Sequence, residues 1–137
     1  MSAGTPATHV LVVDDDQATL GLYRDLLMDV GYAVTLCGRP TDDSAEVARL
    51  QPDLILLDLL FNGEERGWTF FLELRQDPAT SAIPVLICTA AALVVERTRD
   101  EFDAWSCGVV LKPFDIDRLL EAVEACLGRP SRDLAAG

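Results

Sequence analysis

The chain has 137 residues, with 11 Lys and Arg side chains against 23 Asp and Glu side chains, so its formal net charge is −12. This length is typical of one domain with its own core, and a hydrophobic fraction of 50% excludes a disordered acidic tail. The acidic balance argues against a nucleic-acid surface, and no apolar run is long enough to span a bilayer. The first nine residues carry no secretory signal, so we expect a cytoplasmic protein.

Three apolar segments, 10–13, 54–57 and 84–88, have the composition of strands that are buried on both faces of a parallel sheet. Two shorter candidate strands are 33–36 and 109–111. Segments with helical spacing follow them, at 22–31, 42–50, 68–76, 91–102 and 116–127. This alternation predicts right-handed crossovers, with helices on both faces of the sheet.

The first and the last helix have the clearest apolar faces. In the first, Leu22, Leu26, Leu27 and Val30 are predicted to face the core, and Gly31 ends the helix. The apolar stripe of the last helix consists of Ile116, Leu119, Leu120, Val123 and Leu127. No Cys-x-x-Cys pair occurs, so we expect four reduced, structural thiols, at Cys37, Cys88, Cys107 and Cys126.

Polar side chains follow four of the five strands, at the edge where parallel sheets of this kind bind ligands. They are Asp14, Asp15 and Asp16 after the first strand, Asp58 after the third, Thr89 after the fourth and Lys112 after the fifth. Taken singly, each has a structural explanation as a turn former, a helix cap or a solvated lysine. Together they are harder to explain in that way, because carboxylates held at one edge repel one another.

A hard divalent cation accounts for such a group of carboxylates. Mg²⁺ takes oxygen ligands and typically combines one or two carboxylates with phosphate oxygens. A lysine and a hydroxyl at the same edge can neutralise a transferring phosphoryl group, and a carboxylate there can be the nucleophile. The residues therefore indicate phosphoryl chemistry with Mg²⁺.

Four motifs extend this interpretation. They are Val-Leu-Val-Val-Asp14-Asp15, Leu-Ile-Leu-Leu-Asp58-Leu, Ile-Cys-Thr89-Ala90 and Leu-Lys112-Pro113-Phe114. In this order they resemble the receiver domain of two-component response regulators, the CheY-like superfamily. The resemblance implies a receiver domain over 9–127 with tails at 1–8 and 128–137. It also implies a flavodoxin-like, doubly wound α/β fold, in which a five-stranded parallel sheet of order 2-1-3-4-5 and five helices form three α/β/α layers.

The resemblance also implies a role for each acidic residue. Asp58 would be the phosphoacceptor, and its donor would be a phosphohistidine on a sensor histidine kinase or a histidine phosphotransfer protein. Asp15 and Asp58 would bind Mg²⁺ directly and Asp14 through water. The backbone carbonyl of Leu60 would complete the protein's ligands.

Thr89 and Lys112 would contact oxygens of the phosphoryl group, and the peptide between Lys112 and Pro113 would be cis. The chain departs from the family at two places. Val109 stands where the fifth strand usually carries the Tyr or Phe of the conformational switch. This departure argues against the family's usual output face, which is formed by the fourth helix, the fifth strand and the fifth helix. In the loop after the phosphoacceptor, the family's glycine is matched by Gly67, one residue late.

Three functions remain open at this point. The first is a stand-alone receiver that switches protein–protein interactions, because the chain ends at Gly137, soon after the last predicted helix. The second is a pseudo-receiver, a constitutive interaction module that Val109 favours and the complete set of site residues opposes. A phosphatase with an aspartate nucleophile would need a second carboxylate where the chain has Leu60. We therefore predict a phosphoacceptor signalling domain rather than an enzyme. We expect a monomer or weak homodimer with an unknown downstream protein partner and no contact with nucleic acid or membrane.

Overall fold

The computed structural model describes residues 7–38, 44–61, 63–97, 100 and 108–128. Their five strands form one parallel sheet of order β2-β1-β3-β4-β5, which confirms the predicted fold class. The strands are β1 His9–Val13, β2 Ala33–Cys37, β3 Leu54–Leu57, β4 Val85–Thr89 and β5 Gly108–Leu111. The helices are α1 Gln17–Asp29, α2 Ser44–Leu50, α3 Arg66–Gln76, α4 Ala92–Arg97 and α5 Ile116–Cys126.

The sheet separates two hydrophobic cores, because alternate strand residues point to opposite faces. On one face, residues such as Leu11, Ile55 and Ile87 pack with side chains of α2, α3 and α4. On the other, residues such as Val12 and Leu56 pack with α1 and α5. The helices therefore form the two outer layers of the predicted three-layer arrangement.

The buried face of α1 differs from the predicted one. Leu20, Tyr23 and Leu27 are the buried side chains, whereas Leu22 and Val30 are 48% and 40% exposed. The prediction for Leu22 and Val30 is wrong because the inward stripe runs through a tyrosine, which a search for aliphatic residues passes over. A spacing of three and then four residues defines this stripe.

The ends of the helices agree with the sequence in part. Gly31 has a φ of 100° and ends α1 as predicted. In α5, Leu119 and Val123 are buried as predicted, but Ile116 in the first turn is 49% exposed. The fourth helix is seen over Ala92–Arg97, one residue later than predicted, and residues 98, 99, 101 and 102 of its predicted range lie outside the described residues. Most of the two predicted tails lies outside them as well.

The described cysteines differ in whether they form a disulfide bond. Cys37 and Cys88 form no disulfide, as expected, whereas Cys126 is disulfide-bonded, so the expectation of four reduced thiols is wrong there. Cys107 lies outside the described residues. Among the described helices, none combines the length and the apolar character needed to cross a bilayer.

Candidate functional site

The sheet brings the polar strand ends together through its register. Val13 of β1 is paired with Leu57 of β3, so the residues that follow them, Asp14 and Asp58, lie side by side. The backbone pairing continues past the strands: the Asp58 N–H donates to the Val13 carbonyl at 3.1 Å, and the Lys112 N–H donates to the Thr89 carbonyl at 2.9 Å. The backbone at these positions is therefore fixed by the sheet itself.

Asp58 is the centre of the side-chain contacts. Its Oδ1 accepts hydrogen bonds from the Thr89 hydroxyl at 2.7 Å and from the Leu60 N–H at 3.2 Å. Its Oδ2 accepts a hydrogen bond from Lys112 Nζ at 3.1 Å. The carboxylate is thus oriented from both sides, while its side chain keeps 11% of its surface exposed for a reactant to approach.

Asp14 and Lys112 form the buried ion pair of the site. Lys112 Nζ lies 2.5 Å from Asp14 Oδ2, and the other carboxylate oxygen of Asp14 accepts a hydrogen bond from the Asp16 N–H. Burial raises the pKa of Asp14, which is only 2% exposed, although the hydrogen bond from Lys112 opposes that effect. Burial alone would lower the pKa of Lys112, but Asp14 and Asp58 outweigh it and raise the pKa, so the ammonium stays charged.

The same site fits a hard metal ion. Asp14, Asp15 and Asp58 each offer a carboxylate oxygen, and these three oxygens lie within 4.8 Å of one another. An all-oxygen donor set suits Mg²⁺, which keeps several coordination positions for water and phosphate oxygens. The structure therefore brings together every side chain that the sequence assigned to metal binding or phosphoryl contact.

The connection from β3 to α3 explains the late glycine. Phe61 and Glu64 exchange two backbone hydrogen bonds, of 2.9 and 3.0 Å, and thereby close a turn at Gly63, whose φ is 79°. After this turn the chain passes very close to the end of β3, at Asp58. A Cβ atom on Gly67 would lie 1.9 Å from the carbonyl oxygen of Asp58. The glycine is thus required by close backbone approach at its shifted position.

Sequence reasoning missed one aromatic pair beside the site. The ring of Tyr23, on α1, stacks on the ring of Phe114 with centroids 5.8 Å apart and planes inclined by 24°. Phe114 follows the peptide between Lys112 and Pro113, which is cis, as the resemblance implied. No motif marks Tyr23. The available signal was its spacing from Leu20 and Leu27, which places all three on one helix face.

Comparison with known proteins assigns the family. The family described as response regulator receiver domain matches residues 10–124. The DNA-binding dual master transcriptional regulator RpaA of Synechocystis is 36% identical over 124 residues, which are 90% of this chain and 51% of RpaA. The chain thus spans about half the length of this curated relative.

Two solved structures extend the comparison. A putative response regulator of Chloroflexus aurantiacus has a TM-score of 0.78 and 27% identity, over 90% of this chain and 100% of that one. The receiver domain of the Pseudomonas aeruginosa sensor histidine kinase PA1611, which holds a magnesium ion in its active-site cleft, has a TM-score of 0.69 and 23% identity, over 90% and 99%. These structures share the fold of the chain, and the family match shows that the chain belongs to the response regulator receiver domains of two-component systems.

Proposed function

We propose that this chain is a phosphorylation-controlled switch in which Asp58 accepts a phosphoryl group from a phosphohistidine donor. The donor is a sensor histidine kinase or a histidine phosphotransfer protein, and the phosphorylated form changes its protein contacts. One observation carries the proposal: Lys112 and Thr89 contact opposite oxygens of the Asp58 carboxylate. A cation and a hydroxyl are therefore already within reach of the atoms that would carry the phosphoryl group.

The proposed transfer is a displacement at phosphorus. A carboxylate oxygen of Asp58 forms a bond to phosphorus, while the bond between phosphorus and the donor's imidazole nitrogen breaks and leaves its electron pair on that nitrogen. Lys112 stabilises the negative charge on the phosphoryl oxygens, and the Thr89 hydroxyl turns from the carboxylate to one of them.

Mg²⁺ would be held by the carboxylates of Asp14, Asp15 and Asp58 and by the backbone carbonyl of Leu60. When bound, it supplies positive charge against these carboxylates and the incoming phosphoryl oxygens. The acidic cluster supports this assignment, because the oxygens of these three carboxylates lie close enough to one another to share one ion.

The output is proposed to pass to another protein. RpaA is a DNA-binding regulator, whereas this chain has a net charge of −12, which opposes binding to the phosphates of nucleic acid. We assign residues 9–127 to the receiver. We propose that it acts as a stand-alone unit in the cytoplasm, as a monomer or weak homodimer, without direct contact with nucleic acid or membrane.

The test is phosphorylation in vitro. The protein is incubated with Mg²⁺ and acetyl phosphate, and its intact mass is recorded for the unchanged chain, for Asp58→Asn and for Asp53→Asn, an exposed aspartate at the other end of the sheet. We expect one phosphoryl adduct that needs Mg²⁺, persists in Asp53→Asn and is absent in Asp58→Asn. A folded protein that takes no adduct would overturn the proposal and favour the constitutive interaction module.

One observation favours that second candidate. Val109 is only partly buried and lines a cleft of about 450 Å³ together with Val95, Pro113 and Phe114. A small side chain there cannot provide the large inward rotation of an aromatic ring. If Asp58 is phosphorylated, the signal must therefore leave the site by other contacts.

A further inference from the structure

We propose that Tyr23 is a positioning residue for Lys112 and acts through the ring of Phe114. This inference rests on the proposed function, because Lys112 is the cation assigned to the phosphoryl group. Tyr23 itself touches no reacting atom. Its role is to fix the segment that carries Lys112.

The segment from Lys112 to Asp115 connects β5 to α5 and has few inward contacts. Pro113 and Asp115 are exposed, whereas Phe114 is half-buried and packs against the core on the α1/α5 side of the sheet. At its start, the Lys112 N–H is held by the Thr89 carbonyl at 2.9 Å. Among the described residues, the ring of Phe114 is therefore the apolar side chain that ties this connection to the core.

Tyr23 provides the surface on which that ring rests. It is 1% exposed, and its neighbours on the same face of α1, Leu20 and Leu27, are also buried, so the tyrosine ring has little freedom to move. The 5.8 Å centroid distance and the 24° inclination are those of a stacked pair. A rigid ring on α1 thus limits where the connection, and with it the Lys112 side chain, can lie.

Lys112 is sensitive to such a limit because its ammonium bridges two carboxylates. Its Nζ is 2.5 Å from Asp14 and 3.1 Å from Asp58, and a shift of the backbone by about 1 Å would break one of these contacts. Errors of that size in the position of a catalytic group lower reaction rates strongly. The stack between α1 and the connection therefore acts on the rate of phosphoryl transfer rather than only on stability.

The surroundings of the Tyr23 hydroxyl indicate that the ring, and not the polar group, positions the connection. The hydroxyl is fully buried, and the Cys88 thiol beside it is a weak hydrogen-bonding partner. Burial raises the pKa of Tyr23 far above its usual range, so the hydroxyl stays neutral. Because a thiol compensates a buried hydroxyl only weakly for the water that it loses, the ring is the useful part of the side chain, and Phe should replace it.

The experiment compares Tyr23→Leu, Tyr23→Phe and Tyr32→Leu. Tyr32 is a matched control, because it is a tyrosine buried in the same core without a ring contact to Phe114. At saturating Mg²⁺, we expect Tyr23→Leu to lower the rate constant for phosphorylation by acetyl phosphate about tenfold. Tyr23→Phe and Tyr32→Leu should stay within about twofold of the unchanged chain. The affinity for Mg²⁺, measured by calorimetry, should not weaken in any of them, because the Mg²⁺ ligands lie elsewhere.

A double-mutant cycle completes the test. Phe114→Leu should slow phosphorylation as Tyr23→Leu does, and the combined variant should be no slower than either one. Equal slowing in Tyr32→Leu, a normal rate in Tyr23→Leu, or a joint loss of rate and Mg²⁺ affinity would each overturn the inference.

A readout that does not need phosphorylation separates this inference from the proposed function. Nuclear magnetic resonance of the Lys112 side chain should show a changed environment in Tyr23→Leu and an unchanged one in Tyr32→Leu. If the unchanged chain takes no phosphoryl group, the proposed function fails, and these spectra alone decide whether Tyr23 positions Lys112. Unaltered Lys112 signals in Tyr23→Leu would refute the positioning role in either case.

Discussion

The two ends of the sheet both carry polar contacts between neighbouring strands, but in opposite surroundings. At the amino end, the His9 N–H donates to an oxygen of Asp53 at 2.8 Å, and the His9 ring pairs with the Thr35 hydroxyl at 2.7 Å. These groups are half-buried or exposed. At the carboxyl end, Thr89 is fully buried and Asp14 is 2% exposed.

The loss of a polar contact should reduce the free energy of unfolding more at the carboxyl end of the sheet than at the amino end. Water can replace a lost partner at the amino end, so a contact there contributes little net stability. At the carboxyl end, a charged or polar group that loses its partner has no water to replace it. Similar substitutions at the two ends should therefore have unequal effects, and each prediction below tests that difference.

The largest effect is expected from Lys112→Met. The change leaves the buried Asp14 without its ion-pair partner, which should lower the free energy of unfolding by about 3 kcal/mol at neutral pH. Urea denaturation without divalent cations measures this loss. The control is Arg24→Met, which removes the cation of an Arg24–Asp25 pair whose side chains are 51% and 74% exposed. It should lower stability by less than about 0.5 kcal/mol, and equal losses in the two variants would refute the comparison.

Gly67→Ala should have the next largest effect. Its Cβ would meet backbone atoms at 1.9 and 2.7 Å, on Asp58 and Leu59, and backbone cannot yield as a flexible side chain does. We expect a loss of about 2 kcal/mol in thermal or urea unfolding and slower phosphorylation of Asp58. Gly21→Ala is the matched control, because Gly21 lies in α1 with nothing within 4 Å of an added Cβ. That variant should gain about 0.5 kcal/mol.

One substitution can be made at both ends. Thr89→Val removes a hydroxyl that donates to Asp58 at 2.7 Å and accepts from the Ala91 N–H at 3.2 Å. Two buried groups then lose a partner, so we expect a loss of about 1.5 kcal/mol. Thr35→Val removes only the contact with the His9 ring, where water can take its place, and should change stability by less than about 0.5 kcal/mol. Equal losses in urea denaturation would show that burial does not set these values.

The sequence predicts the carboxyl end well because its residues follow directly from strand ends. Buried strands are recognisable in the sequence as continuous apolar runs, and in a parallel sheet the residues that follow the strands lie along one edge. That geometry brings Asp58, Thr89 and Lys112 together without any knowledge of the helices. Strand limits shift by about one residue, as at Gly108 and Thr89, without moving the site.

What the sequence does not predict depends on contacts between distant elements. The Tyr23–Phe114 stack joins residues 91 positions apart, and only Phe114 belongs to one of the four motifs. Periodicity alone does not fix which of two adjacent apolar stripes of α1 faces the sheet. It predicts an inward Leu22, whereas the structure has Tyr23 on the buried face. The turn that moves Gly67 to its position depends on backbone pairing of Phe61 with Glu64. The sequence Asn-Gly at 62–63 favours such a turn, but it does not by itself predict where the later glycine approaches β3.

The smallest effect is expected at an exposed contact near the carboxyl end. Arg97, at the end of α4, lies 2.9 Å from Glu65, just before α3, and their side chains are 61% and 43% exposed. The pair links the connection that follows Asp58 to the helix that follows Thr89. A double-mutant cycle of Glu65→Gln and Arg97→Gln, read by urea denaturation, should give a coupling of about 0.3 kcal/mol.

The dependence on salt shows whether exposure to water or location near the site determines the Glu65–Arg97 coupling. At about 1 M salt the Debye length falls to about 3 Å, so the Glu65–Arg97 coupling should vanish, while the destabilisation caused by Lys112→Met should largely persist. A coupling above about 1 kcal/mol that survives salt would mean that location near the site, rather than burial, determines the strength of these contacts. The expected result means that the Glu65–Arg97 contact behaves like the exposed contacts of the amino end, although it lies near the carboxyl end of the sheet. Exposure to water, and not distance from the site, then decides how strongly each polar contact contributes to the fold.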